Sequence, residues 1–239
     1  MADNKDDTLE LMSEENENKE IERTLRNGFI RKVYGTIFFQ LLITTLIVYY
    51  VMTNQSLMNF MFIHTNLILV PFILSMGIML ILICSKESSQ KVPLNYILLI
   101  AFTICEGFTV SFTTIYFEPL SVLACAGLTM IIVLGLSLYA CFTKRDMTMM
   151  GGFLLSFSLI LFFLGIIGIF FRSYFYQMLL DSLGVLLMSL YLIYDTQLVV
   201  GQKKELIKLD LYILGAMMIY LDIINIFLRI LRLFGTKKK

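Results

Sequence analysis

Seven long apolar stretches account for most of this chain. They lie near residues 33–53, 67–84, 94–115, 119–142, 150–171, 179–200 and 211–234. A helix of about 20 apolar residues is long enough to cross the hydrocarbon core of a bilayer. With 58% hydrophobic and only 15% charged residues, this 239-residue chain could not hide its apolar surface in a soluble domain. The sequence therefore predicts an all-α integral membrane protein with six to seven transmembrane helices.

The basic residues predict the orientation of these helices. They fall before the first stretch and in every second link after it, whereas the intervening links carry only Arg172; they are Arg23, Arg26, Arg31, Lys32, Lys86, Lys91, Lys144, Arg145, Lys203, Lys204 and Lys208. Cytoplasmic links of membrane proteins carry an excess of Lys and Arg. The N-terminus is therefore predicted to be cytosolic.

The seventh stretch gives two conflicting signals. Its length favours a spanning helix, but basic residues at its end (Arg229, Arg232 and Lys237 to Lys239) favour a re-entrant segment that returns to the cytosol. Both arrangements stay open from the sequence, with a slight preference for a cytosolic C-terminus.

Composition divides the chain into three parts. Residues 1–28 form an acidic tail, with nine of the 18 acidic residues among the first 26 positions, and are predicted to be cytosolic and disordered or loosely helical. Residues 29–234 form the membrane domain, and residues 235–239 form a short basic tail.

Three acidic residues lie inside apolar stretches: Glu106, Asp195 and Asp222. An isolated aspartate near the centre of a membrane helix costs about 2.5–3.5 kcal/mol on insertion scales. The short link between the sixth and seventh stretches allows Asp195 and Asp222 to meet in the cytosolic half of the membrane, with Glu106 just beyond them.

Two carboxyl groups in close contact share a proton or bind a cation, because both cannot ionise cheaply at low dielectric. Calcium suits carboxylate, hydroxyl and amide oxygens, which Tyr194, Thr196, Gln197 and Asn225 supply nearby. We therefore expect a proton- and calcium-sensitive gate at Asp195 and Asp222, with Glu106 and Asn225 lining the path. The alternative is that each carboxyl stays protonated and hydrogen-bonds a neighbouring helix as part of the packing.

Several functional classes lack their residues. The chain has one histidine, His64, and its four cysteines form no Cys-x-x-Cys pair, so neither a zinc site nor a hydrolytic triad is expected. An intramembrane aspartyl protease would share the Tyr194-Asp195 dipeptide, but the Gly-x-Gly-Asp motif of that class is absent. The Asp-Arg-Tyr and Asn-Pro-x-x-Tyr motifs of seven-helix receptors are absent too. The sequence predicts neither an enzyme nor a nucleic-acid partner.

Five motifs occur in order along the chain: FIRKVYGTIFFQLL (29–42), VPLNYILLIAFTICEGFTVS (92–111), KRDMTMMGGFLL (144–155), YLIYDTQ (191–197) and YLDIINIFLRILRLF (220–234). Together they resemble the transmembrane Bax inhibitor motif family, also called the Bax inhibitor or lifeguard family, from about residue 29 to 234. The closest likeness is to its Golgi branch, and the Ile-, Met- and Phe-rich composition would suit a virus-encoded copy, such as a poxvirus one.

The resemblance implies a compact seven-helix bundle with the last helix at its centre. Members of the family act as calcium leaks or pH-sensitive calcium channels of intracellular membranes, lower the releasable calcium store and blunt apoptosis. Their paired aspartates match Asp195 and Asp222. Some members also use an arginine of the second helix as a latch, which the basic-free stretch 67–84 does not provide.

The resemblance also implies partners and a location. The expected partners are the lipid bilayer, calcium and protons, with a second copy of the chain or other membrane proteins as further candidates, and no resident cofactor. The expected location is the Golgi or the neighbouring endoplasmic reticulum. The rival to a channel is a non-conducting regulator that binds other membrane proteins.

Overall fold

The computed structural model describes residues 3–85, 89–143, 145–170, 173–200 and 211–238. Within these residues eight α-helices follow one another: α1 Asp3–Thr53, α2 Gln55–Ile63, α3 Leu69–Cys84, α4 Leu94–Thr114, α5 Pro119–Phe142, α6 Gly151–Phe170, α7 Tyr174–Val200 and α8 Tyr212–Phe234. Short 3₁₀ turns, Thr65–Ile68 and Met147–Met150, precede α3 and α6. All helices except α2 include a segment long and apolar enough to cross a membrane, which confirms the predicted fold class.

The acidic tail is continuous with the first membrane helix. The composition predicts a disordered or loosely helical tail, but α1 begins at Asp3 and its apolar span at Thr24. Residues 3–27 contain neither Gly nor Pro and are rich in Glu, which favours helix. The apolar span already supplies a helical nucleus, so the preceding residues extend it at little further cost.

The last membrane helix, α8, lies at the centre of the bundle, as the resemblance implies. It contacts α1, α4, α5 and α7, and 56% of its apolar span is buried, against 11–44% for the other six spans. Its two faces pack into different apolar clusters. Ile219, Ile226 and Ile230 pack with residues of α1, α5 and α7, whereas Ile213, Met217 and Tyr220 pack with residues of α3 and α4.

The outer helices expose apolar side chains, as a protein surrounded by lipid requires. Ile73 of α3, Ile131 of α5 and Phe162 of α6 are each more than 60% exposed. Only 11–17% of the apolar spans of α3, α5 and α6 is buried. Lipid tails are as apolar as these side chains, so exposure on this surface carries no penalty within a bilayer.

Contacts at the two ends of the bundle fix the path of the chain. At one end the Arg26 guanidinium donates to the carbonyl oxygens of Leu198 and Val200, 3.0 and 3.2 Å away, where α7 ends. At the other end the Glu118 amide donates to the Thr236 carbonyl at 2.9 Å, beside the turn between α4 and α5. The helix α1 runs from the first end to the second, so the chain beyond α8 lies far from Arg26.

These contacts favour a spanning arrangement of the seventh stretch over a re-entrant one. The helix α8 continues without reversal from Tyr212 to Phe234. Its basic residues find a partner within the bundle, because Arg229 and Arg232 both approach Asp181 of α7. They therefore do not need the cytosolic surface that the sequence pattern suggested. If all seven apolar helices cross the membrane, the two termini lie on opposite sides, and a cytosolic N-terminus then implies a C-terminus on the other side.

Candidate functional site: a carboxyl pair between the last two helices

Asp195 of α7 and Asp222 of α8 meet in the interior of the bundle. Their carboxyl groups lie close enough to hydrogen-bond to each other, and the two residues are only 5% and 7% exposed. The geometry follows from the fold, because α7 and α8 are adjacent antiparallel helices. The structure thus brings together the two aspartates that the sequence analysis paired.

The surroundings of the pair are apolar. Leu192 and Val199 lie one turn before and after Asp195 on the buried face of α7, and both are at most 1% exposed. On α8, Ile219 and Ile226 flank Asp222 in the same way and belong to the same apolar cluster. Water is largely excluded from such a site, so the interaction between charges there is much stronger than at a surface.

Two carboxyl groups this close form a hydrogen bond only when one of them carries a proton that it can donate. If that proton leaves, two like charges remain in an apolar setting, a state that separates the groups or draws in a cation. The Oδ2 atom of Asp222 is buried, and within the described residues it has no hydrogen-bond partner. This oxygen keeps its capacity to accept a proton or to contact a cation.

The predicted neighbours of the pair divide into two groups. The first consists of Thr196 and Asn225. Thr196 is fully buried beside Asp195. Asn225 is half-buried one turn beyond Asp222, and its side-chain amide donates to the Leu221 carbonyl at 2.9 Å. These residues keep polar groups near the carboxyls, on the helices that carry them.

The second group consists of Tyr194 and Gln197. Their side chains contact the link between α5 and α6 and the start of α6. The Gln197 amide oxygen accepts from the Met147 amide at 2.8 Å, and its nitrogen donates to the Arg145 carbonyl at 3.0 Å. The Tyr194 ring packs against Gly151, where an added Cβ would lie 3.1 Å from the hydroxyl oxygen. Gln197 therefore faces this link, whereas Tyr194 lies near both Gly151 and Asp195. That the two side chains surround the carboxyls stays a prediction.

Glu106 of α4 belongs to a separate polar group. Its carboxyl lies near the Ser75 hydroxyl of α3, which donates to the Phe72 carbonyl at 2.9 Å, and near Tyr220 of α8. Tyr220 is two residues from Asp222, which puts the two side chains on roughly opposite sides of α8. The structure therefore places Glu106 across the central helix from the pair.

Tyr220 extends this second polar group toward α1. Its hydroxyl lies 2.8 Å from the Thr44 hydroxyl. One turn earlier on α1, the Gln40 amide nitrogen donates to the Thr103 hydroxyl of α4 at 3.2 Å. Gln40, Thr44 and Thr103 are each at most 4% exposed. Buried polar groups of this kind join neighbouring membrane helices by hydrogen bonds.

Sequence reasoning missed an ion-pair cluster toward the opposite end of α7 and α8. The Arg232 guanidinium donates to both carboxylate oxygens of Asp181. Its Nε lies 2.9 Å from Oδ1 and 3.1 Å from Oδ2, and its Nη2 lies 2.7 Å from Oδ1. Arg229 Nη1 lies 3.6 Å from Oδ1. A signal was present, because pairing Asp195 with Asp222 sets the register of the antiparallel helices. That register brings Asp181 within about a turn of Arg232.

Comparison with known proteins gives consistent relatives. Residues 26–239 match the family described as inhibitor of apoptosis-promoting Bax1. Human protein lifeguard 3 is 32% identical over 220 residues, which cover 90% of this chain and 71% of that protein. Mouse protein lifeguard 4 is 32% identical over 215 residues, covering 90% and 87%. The Golgi anti-apoptotic protein of Vaccinia virus (strain Lister) is 30% identical over 215 residues, covering 90% and 88%.

Proposed function

The chain belongs to the Bax inhibitor family, and on this premise we propose that it inhibits apoptosis as a calcium-permeable, pH-sensitive leak in an intracellular membrane. The name of the viral relative, a Golgi anti-apoptotic protein, supports the Golgi as its location. A leak lowers the calcium that a store can release, which weakens the death signals that depend on that release. The protein acts as an ion pathway and not as an enzyme.

The observation that carries this proposal is the buried pair of Asp195 and Asp222, whose carboxyl groups lie close enough to hydrogen-bond to each other. Packing alone does not require two carboxyl groups at one buried site, since apolar side chains of similar size often replace buried ionic groups without loss of stability. A shared proton joins the two helices while it is present. Loss of this proton adds a negative charge at the contact between α7 and α8 that the two carboxyl groups form.

This arrangement supports a gate in two protonation states. With the proton in place, the carboxyls bond to each other and hold α7 against the central helix. Without it, mutual repulsion favours separation, and a divalent cation entering between the carboxylates offsets their charge. Proton and cation therefore compete for the same oxygens.

The ligand number of the site suits passage better than tight binding. Calcium takes six to eight oxygen ligands when it is held firmly. Within the described residues, no cluster of three or more carboxylate, thiol or imidazole side chains surrounds the pair. A calcium ion at Asp195 and Asp222 would keep much of its water and leave readily, as a conducted ion must.

The test is calcium flux through purified protein in liposomes. We expect wild-type protein to pass calcium above the rate of empty liposomes, and both Asp195→Asn and Asp222→Asn to change that rate. Glu118→Gln is the matched control, because Glu118 is an exposed carboxylate remote from the pair. Flux that is absent in the wild type, or that is equal in wild type and both aspartate variants, would overturn the proposal.

A further inference from the structure

A cavity of about 440 Å³ lies between α6, α7 and α8, away from the carboxyl pair. Its polar side chains are Gln177, Asp181, Arg229 and Arg232, and two glycines of α6, Gly165 and Gly168, contribute to its wall. The carboxyl pair lies about 21 Å along α7 from Asp181. The cavity is therefore a separate site, and the gate described above makes no use of it.

The charges in the cavity do not balance. Asp181 is the one carboxylate among the lining residues, and it faces two guanidinium groups. Arg232 takes up both of its oxygens, whereas Arg229 approaches at 3.6 Å. The Nε atom of Arg229 is buried and has no hydrogen-bond partner within the described residues. A positive charge and an unused donor therefore remain.

The fold fixes Arg229 in this position. Its guanidinium lies directly against Gly184 of α7, where any Cβ would collide with it. The glycine thus allows the charged group to lie flat between the helices, with the side chain only 23% exposed. A guanidinium held flat presents its donors in a fixed fork, the geometry that matches phosphate oxygens.

The shape and depth of the cavity point to a lipid. Arg229 lies about 8 Å before the end of α8, at a depth where an arginine of a spanning helix reaches the headgroup region. The wall is completed by Leu161 and Leu180, and α6 beside it exposes Phe162 and Phe163 on the surface that lipid covers. The charged residues of the cavity suit the headgroup phosphate of a lipid, and the apolar residues beside them suit its acyl chains.

We propose that this cavity binds an anionic phospholipid, whose phosphate group contacts Arg229 and whose acyl chains follow Leu161 and Leu180. A single negative charge balances the two arginines and Asp181. Gly165 borders open space, since a Cβ built there meets nothing within 4 Å. A larger side chain at Gly165 would therefore fill the cavity without a clash.

Native mass spectrometry of the full chain tests the proposal, with equal amounts of phosphatidylglycerol and phosphatidylcholine added to the detergent-purified protein. We expect the wild type to retain phosphatidylglycerol preferentially. Arg229→Gln should bind it about tenfold more weakly, the effect of one lost charge-assisted hydrogen bond. Gly165→Leu should lose it through loss of space. The matched controls are Arg31→Gln, an exposed arginine elsewhere, and Gly135→Leu, an exposed glycine of α5 with open space around it.

The remaining outcomes are decisive as well. Thermal unfolding without added lipid shows which variants fold, and Arg229→Gln tests the charge if Gly165→Leu does not fold. Equal retention of phosphatidylglycerol by Arg229→Gln and wild type overturns the proposal, as does equal retention of both lipids by the wild type. Binding of inorganic phosphate that displaces phosphatidylglycerol at similar concentration would make the site a free-phosphate site and overturn the lipid assignment.

Discussion

At the scale of single residues, the molecule keeps two carboxyl groups where apolar side chains surround them on every turn. Asp195 and Asp222 are each other's hydrogen-bond candidates, so the loss of one carboxyl leaves the other buried without this partner. Removing one member of a buried polar pair costs about 1–3 kcal/mol, more than the net worth of the bond itself.

This asymmetry predicts different effects for two substitutions at one position. Asp195→Ala leaves the Asp222 carboxyl buried without its partner and should lower the free energy of unfolding by about 1–3 kcal/mol. Asp195→Asn keeps a hydrogen-bonding group and should lower it by clearly less. Thermal or denaturant unfolding in detergent measures the difference, with Glu118→Ala as the exposed control. Equal stability of the alanine and asparagine variants would contradict the account.

The sequence was sufficient to pair Asp195 with Asp222, because acids in apolar helices need partners and the helices are joined by a short link. It was not sufficient to place Tyr194 and Gln197, whose orientation depends on where the link between α5 and α6 packs. Nor could it place Glu106, since the side of α8 that faces α4 is decided by packing. The depth of a residue in the membrane can be predicted from its position in the sequence. The direction in which its side chain points around the helix axis depends on how neighbouring helices pack.

At the scale of helices, α7 and α8 are joined at two levels. The carboxyl pair joins them at one level, and the ion pairs of Asp181 with Arg229 and Arg232 join them about 21 Å away along α7. Only the first contact contains a proton that can leave. We therefore expect α7 and α8 to stay in contact at Asp181, the fixed end, when the carboxyls of Asp195 and Asp222 separate.

Gly184 tests the fixed end. Gly184→Ala puts a methyl group into the Arg229 guanidinium, so the arginine must move away from Asp181. Because the guanidinium is the end of a flexible side chain, the cost is mainly the weakened contact with Asp181, and the midpoint of thermal unfolding should fall slightly. Gly135→Ala is the control, because the space around Gly135 is open. A Gly184→Ala variant as stable as the control would show that Arg229 is not held there.

Helix positions were predictable and helix endings were less so. Hydropathy located all seven spans, because membrane thickness fixes their length. The acidic tail was expected to be disordered or loosely helical, and α1 includes it as a helix. The basic end of α8 suggested a re-entrant segment, because a charge rule counts arginines without knowing their partner, Asp181.

At the scale of the whole molecule, seven helices are long and apolar enough to cross a membrane, and seven crossings would place the termini on opposite sides. The chain after α8 is fixed beside the turn between α4 and α5, where the Lys238 amide donates to the Tyr116 carbonyl at 2.9 Å. The basic links predict a cytosolic N-terminus. The C-terminus should therefore lie on the lumenal side.

Protease protection in sealed vesicles measures this topology. A tag on the N-terminus should be digested from outside vesicles whose cytosolic face is exposed. A tag on the C-terminus should be digested only after the vesicles are opened. Digestion of both tags in sealed vesicles would contradict a seven-crossing arrangement.

Protection from cell death separates the channel from the non-conducting regulator. If the leak is the cause of protection, Asp195→Asn and Asp222→Asn should alter protection in parallel with calcium flux. Cell survival and store calcium are measured together, at matched expression of each variant. Folded variants that lack flux but protect cells as well as the wild type would favour the regulator.

The central claim is that one shared proton controls the path, and a pH series of calcium flux in liposomes tests it most directly. Wild-type flux should change with pH, because protons and cations compete for the oxygens of Asp195 and Asp222. Asp195→Asn and Asp222→Asn should each remove that change, whereas Glu118→Gln should follow the wild type. A pH dependence that persists unaltered in both aspartate variants would contradict the account.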